Sequence, residues 1–160
     1  MLPAELKTRS STYVLRRAHA EDVGTIVSLL AADQLGATRD SPDDLAPYLA
    51  AFEAIDGDPA HQLVVVTDAT GAVVGTMQLT EIPGLARRGA LRMQIEAVRV
   101  DAALRSSGLG AEMMRWAIDD ARRKNCALVQ LTSDKGRTDA HRFYERLGFA
   151  RSHEGYKLAL

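Results

Sequence analysis

Apolar residues recur along the chain at two spacings, one typical of strands and one typical of helices. Residues 1–11 are polar and irregular, which predicts a loose N-terminal arm. Alternation over residues 13–17 predicts a short strand, and the apolar stripe over residues 23–30 predicts a helix. A second helix is predicted to begin with Ser41 as its cap and Pro42 in its first position. The N-terminal third is therefore strand, helix, helix.

The pattern changes after residue 60, where apolar and β-branched residues form two runs at 62–67 and 72–81. The intervening segment Asp-Ala-Thr-Gly, residues 68–71, predicts a hairpin turn. The remaining predicted elements are a strand over 91–100, a helix over 109–124, a strand over 127–132, a helix over 138–147 and a closing strand over 156–160. The order β-α-α-β-β-β-α-β-α-β predicts one α/β domain over residues 1–160, without repeats or linkers.

Composition narrows the functional classes without naming one. Twenty Lys and Arg against 21 Asp and Glu give a net charge of −1, which argues against a dedicated nucleic-acid binder. No run approaches the roughly 18 apolar residues of a membrane span, and no signal peptide is evident. The single cysteine, Cys126, excludes an internal disulfide, and the four histidines lack metal-ligand spacing. We expect a cytoplasmic protein without a metal.

A glycine-rich turn, residues 105–111, lies between the third long strand and the following helix, with the sequence Arg-Ser-Ser-Gly-Leu-Gly-Ala. Glycines allow close backbone approach, amides at a helix N-terminus favour negative charge, and Arg105 adds a cation, so the turn suits an anion. A P-loop is excluded because Gly110 is followed by Ala111 and Glu112. Three preceding consecutive strands also fit a Rossmann unit badly. The alternative is an ordinary turn carrying a surface arginine.

The strand before this turn changes the parity of its apolar positions. Met93, Ile95 and Ala97 share one face, and then Val98 and Val100 take the apolar positions. A one-residue β-bulge between Ala97 and Val98 produces such a flip and leaves a backbone amide out of the ladder. The alternative is a strand end that is buried on both faces.

Two side chains near these motifs are candidates for proton transfer. Glu96 is the only carboxylate within the strand, and it is either a solvated residue or a general base. Tyr144 lies on an apolar helical stripe with Phe143 and Leu147, so the residues alone favour a core aromatic.

Three segments, residues 94–100, 105–110 and 139–149, together resemble the GCN5-related N-acetyltransferase (GNAT) superfamily, above all its bacterial members that contain Phe-Tyr-Glu-Arg-Leu-Gly-Phe. The resemblance extends over nearly the whole chain and implies a twisted, mostly antiparallel sheet flanked by helices, with acetyl-CoA as co-substrate. It assigns cofactor binding to Val98, Val100, Arg105, Ser106, Ser107, Gly108, Gly110 and Ala111.

The resemblance also assigns catalytic roles. Glu96 would accept the proton of the amine, the amide near Val98 would hold the oxyanion, and Tyr144 would protonate the departing thiolate. A phenol with a pKa of about 10 gives its proton to a thiolate of about 8.5 only uphill, so Tyr144 would first donate a hydrogen bond to sulfur. Arg137 stands where many members have an asparagine, and it either binds phosphate or is a solvated cation.

The function expected from this resemblance is N-acetylation of a primary amine, on a small molecule or a protein, by direct attack in a ternary complex. The alternatives are a non-catalytic acyl-CoA-binding sensor and an acyltransferase using another acyl-CoA. The acceptor pocket would be built by residues 34–40, Tyr48 and residues 82–89, which indicate no single substrate. Dimers are common in the superfamily, so a homodimer is expected by analogy alone.

Overall fold

The computed structural model describes residues 1–32 and 36–160, in which six strands form one sheet in the order β1-β2-β3-β4-β5-β6. The strands are β1 (Ala4–Lys7), β2 (Thr12–Arg17), β3 (His61–Thr67), β4 (Val73–Ile82), β5 (Arg92–Val100) and β6 (Leu128–Gln130). The helices are α1 (Val23–Ala31), α2 (Ala46–Asp56), the short α3 (Ala86–Gly89), α4 (Leu109–Arg123) and α5 (Thr138–Arg146).

Antiparallel pairing joins the strands from β1 to β5, and β5 and β6 are parallel. Helix α4 packs on β1, β5 and β6, while α1 packs on β4 and β5 and α2 packs on β3. The fully buried side chains are mostly on these strands and on α4, including Met77, Met93, Ile95 and Met113. The prediction of a mostly antiparallel sheet flanked by helices is confirmed.

The predicted hairpin turn between β3 and β4 is also confirmed. The Asp68 amide donates to the Ala72 carbonyl oxygen at 3.0 Å, and Gly71 has a φ of 87°. Asp68 Oδ1 accepts hydrogen bonds from the Thr70 amide and hydroxyl and from the Ala72 amide. The aspartate therefore organises the turn that sets the β3–β4 register.

The prediction of a loose arm is wrong for residues 4–7, which form β1 and pair with β2. Only Leu6 of this strand is buried, so four residues were too few to show a periodic pattern. The observed element order accordingly begins with two strands.

Helix α2 begins later than predicted, at Ala46, and its early proline is Pro47 instead of Pro42. The Ser41 amide donates to the Tyr48 hydroxyl at 3.0 Å, which holds this segment in a turn before the helix. Strand β6 is shorter than predicted, and the closing strand over 156–160 is absent. Residues 151–160 are exposed and without regular structure. Alternating apolar residues at 156, 158 and 160 are therefore not sufficient for a strand without a paired neighbour.

The chain divides into two compact units, residues 1–130 and 131–160. The first contains the sheet with α1–α4, and the second contains α5. The expectation of a single domain remains a prediction. Within the described residues, no helix has the length and apolar character needed to cross a membrane.

A partly buried ion pair joins β2 to the start of α1. Arg16 donates two hydrogen bonds to Asp22, at 2.7 and 2.9 Å, and the His19 amide donates to the same carboxylate at 2.7 Å. Burial acts to raise the pKa of Asp22, but the Arg16 and His19 hydrogen bonds outweigh it, so this pKa lies below its ordinary value. The pair therefore stabilises the fold when Asp22 is ionised.

Replacing Asp22 with asparagine is expected to lower the unfolding free energy by about 2 kcal/mol at pH 7, because the charged hydrogen bonds to Arg16 are lost. A lowered native pKa gives stability above the unfolded pKa of about 3.9 that disappears as the pH falls through the native value. Urea unfolding should therefore show that the unfolding free energies of the original protein and of Asp22→Asn approach each other as the pH falls from 7 to 3. The exposed neighbour Glu21, replaced with glutamine, is the control, and a constant Asp22 difference at every pH would contradict the assignment.

Candidate active site

Strand β5 contains the predicted bulge. Gln78 of β4 pairs with Glu96 and Thr76 pairs with Arg99, so Ala97 and Val98 together face one residue of β4. Ala97 has a φ of 53°, in the left-handed region that L residues rarely adopt. The parity flip is thereby confirmed as a bulge, and such a bulge removes a backbone amide from regular pairing.

Glu96, immediately before the bulge, is exposed although β5 has a strand on each side. Met93 and Ile95 are 0% and 2% exposed on the face covered by α4, so Glu96 projects from the opposite face. The parallel β5–β6 ladder ends at the pair Gln94 and Gln130. The carboxylate therefore lies open to solvent two residues beyond the end of that ladder.

The glycine-rich turn leads from β5 into α4 with two left-handed residues, Ser106 at φ 68° and Gly108 at φ 90°. The Leu109 amide donates to Ser107 Oγ at 3.2 Å. Within residues 1–32 and 36–160, the amides of Ser106, Gly108 and Gly110 form no hydrogen bond. A Cβ at Gly108 would meet no heavy atom within 4 Å, so the space at this position is open.

A cavity of about 230 Å³ between α1 and the end of β5 brings together two of the predicted cofactor residues, Val100 and Arg105. Arg99 and Asp101 also line it, and the Asp101 carboxylate caps the following turn by accepting from the Ala103 amide at 2.8 Å. Ala111 follows in the first turn of α4, where it is half-buried. The arginine, the turn and the end of β5 therefore form one contiguous region.

A second cavity, of about 170 Å³, lies between α1, α2 and the sheet. Its lining is mainly apolar, but it reaches Gln78 and the bulge residue Ala97, and Tyr48 contributes to its wall. The Tyr48 hydroxyl donates to Asp40 Oδ1 at 3.2 Å. Tyr48 of the predicted acceptor pocket thus lines the same cavity as the bulge residue Ala97, whereas residues 33–35 lie outside the described part of the chain.

The second unit contains the two remaining predicted residues, Arg137 and Tyr144. Arg137 is the exposed N-terminal cap of α5, and its amide donates to the Asp134 carbonyl oxygen at 3.0 Å. The half-buried Tyr144 ring makes edge contacts with Phe143 and Phe149, with centroids 5.2 and 6.0 Å apart. Tyr144 is thus part of an aromatic cluster, as its helical stripe predicts, and its role at sulfur remains a prediction.

Other reactive groups offer little for catalysis. Burial is the main cause that raises the pKa of the Cys126 thiol, which disfavours the thiolate. Lys124 Nζ contacts Glu81 at 2.7 Å and Asp120 at 3.3 Å, a structural cluster between α4 and β4. In the described ranges, no three His, Cys, Asp or Glu side chains are grouped as metal ligands.

The residues present fit the diphosphate of a CoA ester. Open amides at a helix N-terminus favour phosphate oxygens, and a glycine without neighbours at its Cβ position permits close approach. The bulge next to Glu96 supplies a backbone amide that is outside the regular β4–β5 pairing and can donate a hydrogen bond. It lies on β5, the strand that leads into this turn.

A model of the acetyltransferase (GNAT) family matches residues 17–149, which is most of the chain. The protein belongs to this family. The resemblance of the three motifs is therefore confirmed, and so is the fold. Strand β5, the turn into α4, and α5 all lie within the matched residues.

Solved structures support the same membership. A Bacillus halodurans C-125 protein described as a transcriptional regulator is 39% identical, with a TM-score of 0.89 over 92% of this chain and 99% of its own. A Trypanosoma brucei acetyltransferase is 27% identical, with a TM-score of 0.76 over 92% and 99% of the two chains.

A curated relative, the aminoalkylphosphonate N-acetyltransferase of Salmonella typhimurium LT2, is 34% identical over 67 residues. The match covers 42% of this chain and 44% of that protein, so it spans less than half of the relative's length.

One residue near Glu96 was not a candidate from the sequence. Arg92 lies on the same face of β5 as Glu96, whereas the sequence indicated the neighbouring residues 82–89 as part of the acceptor pocket. The signal was present in the alternation of residues 92–96, which already places Arg92 with Gln94 and Glu96.

Proposed function

We propose that the protein is an acetyl-CoA-dependent N-acetyltransferase that acetylates a primary amine by direct attack in a ternary complex. The observation that carries this proposal is the exposed Glu96 carboxylate next to the bulge at Ala97, on the strand that leads into the open turn. A proton acceptor, an amide donor and an anion site thus follow one another along a single segment of the chain.

The turn would hold the cofactor through its backbone. The open amides of Ser106, Gly108 and Gly110 would bind the diphosphate, and Arg105 would add a charged contact. The residues Val98 and Val100 would present backbone groups to the pantetheine arm. When bound, acetyl-CoA supplies the acetyl group as a reactive thioester.

Glu96 would remove the proton that an alkylamine, with a pKa of about 10, still carries near neutrality. The neutral amine then forms a carbon–nitrogen bond as the carbon–sulfur bond breaks. Its nitrogen loses a second proton, which passes to solvent through the exposed Glu96 once that carboxylate has released the first. The amide near Val98 would donate to the carbonyl oxygen as its negative charge develops. Tyr144 would donate a hydrogen bond and then a proton to the leaving sulfur, and Arg137 would contact phosphate.

The Salmonella relative supports an amine acceptor, since its name states N-acetylation of an aminoalkylphosphonate. The alternative is a non-catalytic acyl-CoA-binding sensor, which the description of the Bacillus structure as a transcriptional regulator favours. The exposed carboxylate beside the bulge favours catalysis, because binding of a CoA ester alone requires no proton acceptor there.

Calorimetric titration with acetyl-CoA, desulfo-CoA and ATP tests the cofactor first, and thiol release with a panel of primary amines tests transfer. We expect micromolar binding of acetyl-CoA and desulfo-CoA, no binding of ATP, and thiol release with at least one amine. Tight acetyl-CoA binding without transfer to any amine would support the sensor instead. Absence of acetyl-CoA binding would refute both functions.

A further inference from the structure

Three polar residues form a row along one face of β5. Arg92, Gln94 and Glu96 alternate with Met93 and Ile95, which are buried on the α4 face. Arg92 and Gln94 are half-buried and Glu96 is exposed, so the row passes from partial cover into solvent. A ligand lying along this face would meet a cation at one end and an anion at the other.

The positive charge of Arg92 has no counterion in the part of the chain that the structure describes. Among residues 1–32 and 36–160, Arg92 forms no ion pair, and its buried Nε atom has no hydrogen-bond partner. Glu81, on the adjacent strand, pairs in register with Met93 on the other face and is bound to Lys124 Nζ at 2.7 Å. A partly buried cation without a counterion favours an anionic ligand.

The guanidinium lies near the loop between β4 and β5, since Arg92 Nη1 is 3.6 Å from the position of a Cβ at Gly84. Arg87 and Arg88, in the short α3 within this connection, are exposed, and both depart from helical geometry with left-handed φ values of 56° and 62°. The loop therefore adds positive charge to the Arg92 end of the row and adds no carboxylate there.

The middle of the row is held in place. Gln130 Nε2 donates to Gln94 Oε1 at 2.7 Å, across the last pair of the β5–β6 ladder. Four residue steps in a strand separate the Cα atoms of Arg92 and Glu96 by roughly 13 Å. This spacing sets the length of a ligand that contacts both ends.

We propose that the acceptor is a bifunctional molecule whose amine lies at Glu96 and whose anionic group, a carboxylate or a phosphate, is bound by Arg92. This rests on the proposed function, because the position of the amine depends on Glu96 acting as the proton acceptor. The arginine fork suits either anion through paired hydrogen bonds, and a chain of several methylene groups joins the two ends.

Acceptors that differ only at one end test the proposal in the full chain. 8-Aminooctanoate and 8-aminooctyl phosphate are compared with octylamine, in the original protein and in Arg92→Met. We expect the original protein to prefer the anionic amines in kcat/KM, and Arg92→Met to reduce that preference about 10- to 100-fold. The control is Arg9→Met, which should retain the original preference. Arg9 is an exposed arginine in the β1–β2 turn, and β1 is at the opposite edge of the sheet from β6.

An equal kcat/KM for octylamine and both anionic amines would overturn the inference, and so would an unchanged preference in Arg92→Met. A preference for one anion over the other identifies the group that Arg92 binds. If no amine is acetylated, calorimetric binding of 8-aminooctanoate and 8-aminooctyl phosphate separates the two proposals. Binding that Arg92→Met weakens would support this site although the enzymatic function fails, and absence of binding would overturn the site as well.

Discussion

Replacing Glu96 with glutamine is expected to lower kcat about 100- to 1,000-fold while leaving the Kd for acetyl-CoA unchanged. Glutamine keeps the shape of the side chain but cannot accept the proton of an alkylammonium group. Glu96 is exposed, and it belongs to neither an ion pair nor a hydrogen bond within the described part of the chain, so its removal should not unfold the protein. Thiol release at saturating substrates gives kcat, and calorimetry gives the Kd.

The matched control is Glu53→Gln, because Glu53 is an exposed carboxylate on α2. This variant should retain the original kcat, since Glu53 lies on a different element from the bulge. An unchanged kcat in Glu96→Gln would remove the carboxylate from catalysis. Equal losses of kcat in both variants would indicate a general charge effect instead.

Replacing Gly108 with valine is expected to raise the Kd for acetyl-CoA at least about 100-fold. The φ of 90° at this position is strained for valine, and the new side chain would fill the open space at the Gly108 Cα. Both effects keep phosphate oxygens from the backbone. Calorimetric titration with acetyl-CoA measures the change.

The control for the effect of backbone strain alone is Gly71→Val, in the β3–β4 hairpin turn. Gly71 has a φ of 87°, and a Cβ added there would likewise meet no heavy atom within 4 Å, so both variants should lose similar stability. Only Gly108→Val should lose acetyl-CoA binding. Retention of tight binding by folded Gly108→Val would refute the diphosphate assignment.

Features that depend on neighbouring residues in the chain could be predicted from the sequence. The bulge at Ala97 follows from the parity of the apolar positions, and the hairpin turn follows from Asp68 and Gly71. The membership in the acetyltransferase family followed from motifs in β5, in the turn and in α5. The order of these motifs along the chain was sufficient to predict the family.

Features that depend on distant partners could not be predicted. Both Pro42 and Pro47 suit the first turn of a helix, and the hydrogen bond between the Ser41 amide and the Tyr48 hydroxyl accompanies the later start. Strand β1 depends on its pairing with β2, which a four-residue segment does not reveal. That Arg92 has no counterion among the described residues depends on the position of Glu81, which is bound to Lys124 instead.

The bulge in β5 meets a requirement of the proposed site that differs from the requirement of the sheet for regular pairing. Without Ala97, residues 93–100 would alternate regularly, with Val98 and Val100 continuing the buried side and Arg99 the other. The chain would then avoid a left-handed alanine, which costs roughly 1 kcal/mol. Ala97 is therefore an extra residue that the sheet tolerates at some loss of stability. A strand without it would be more regular and would fold well. Its backbone would then pair regularly with β4, including the amide that the proposed site requires to be unpaired.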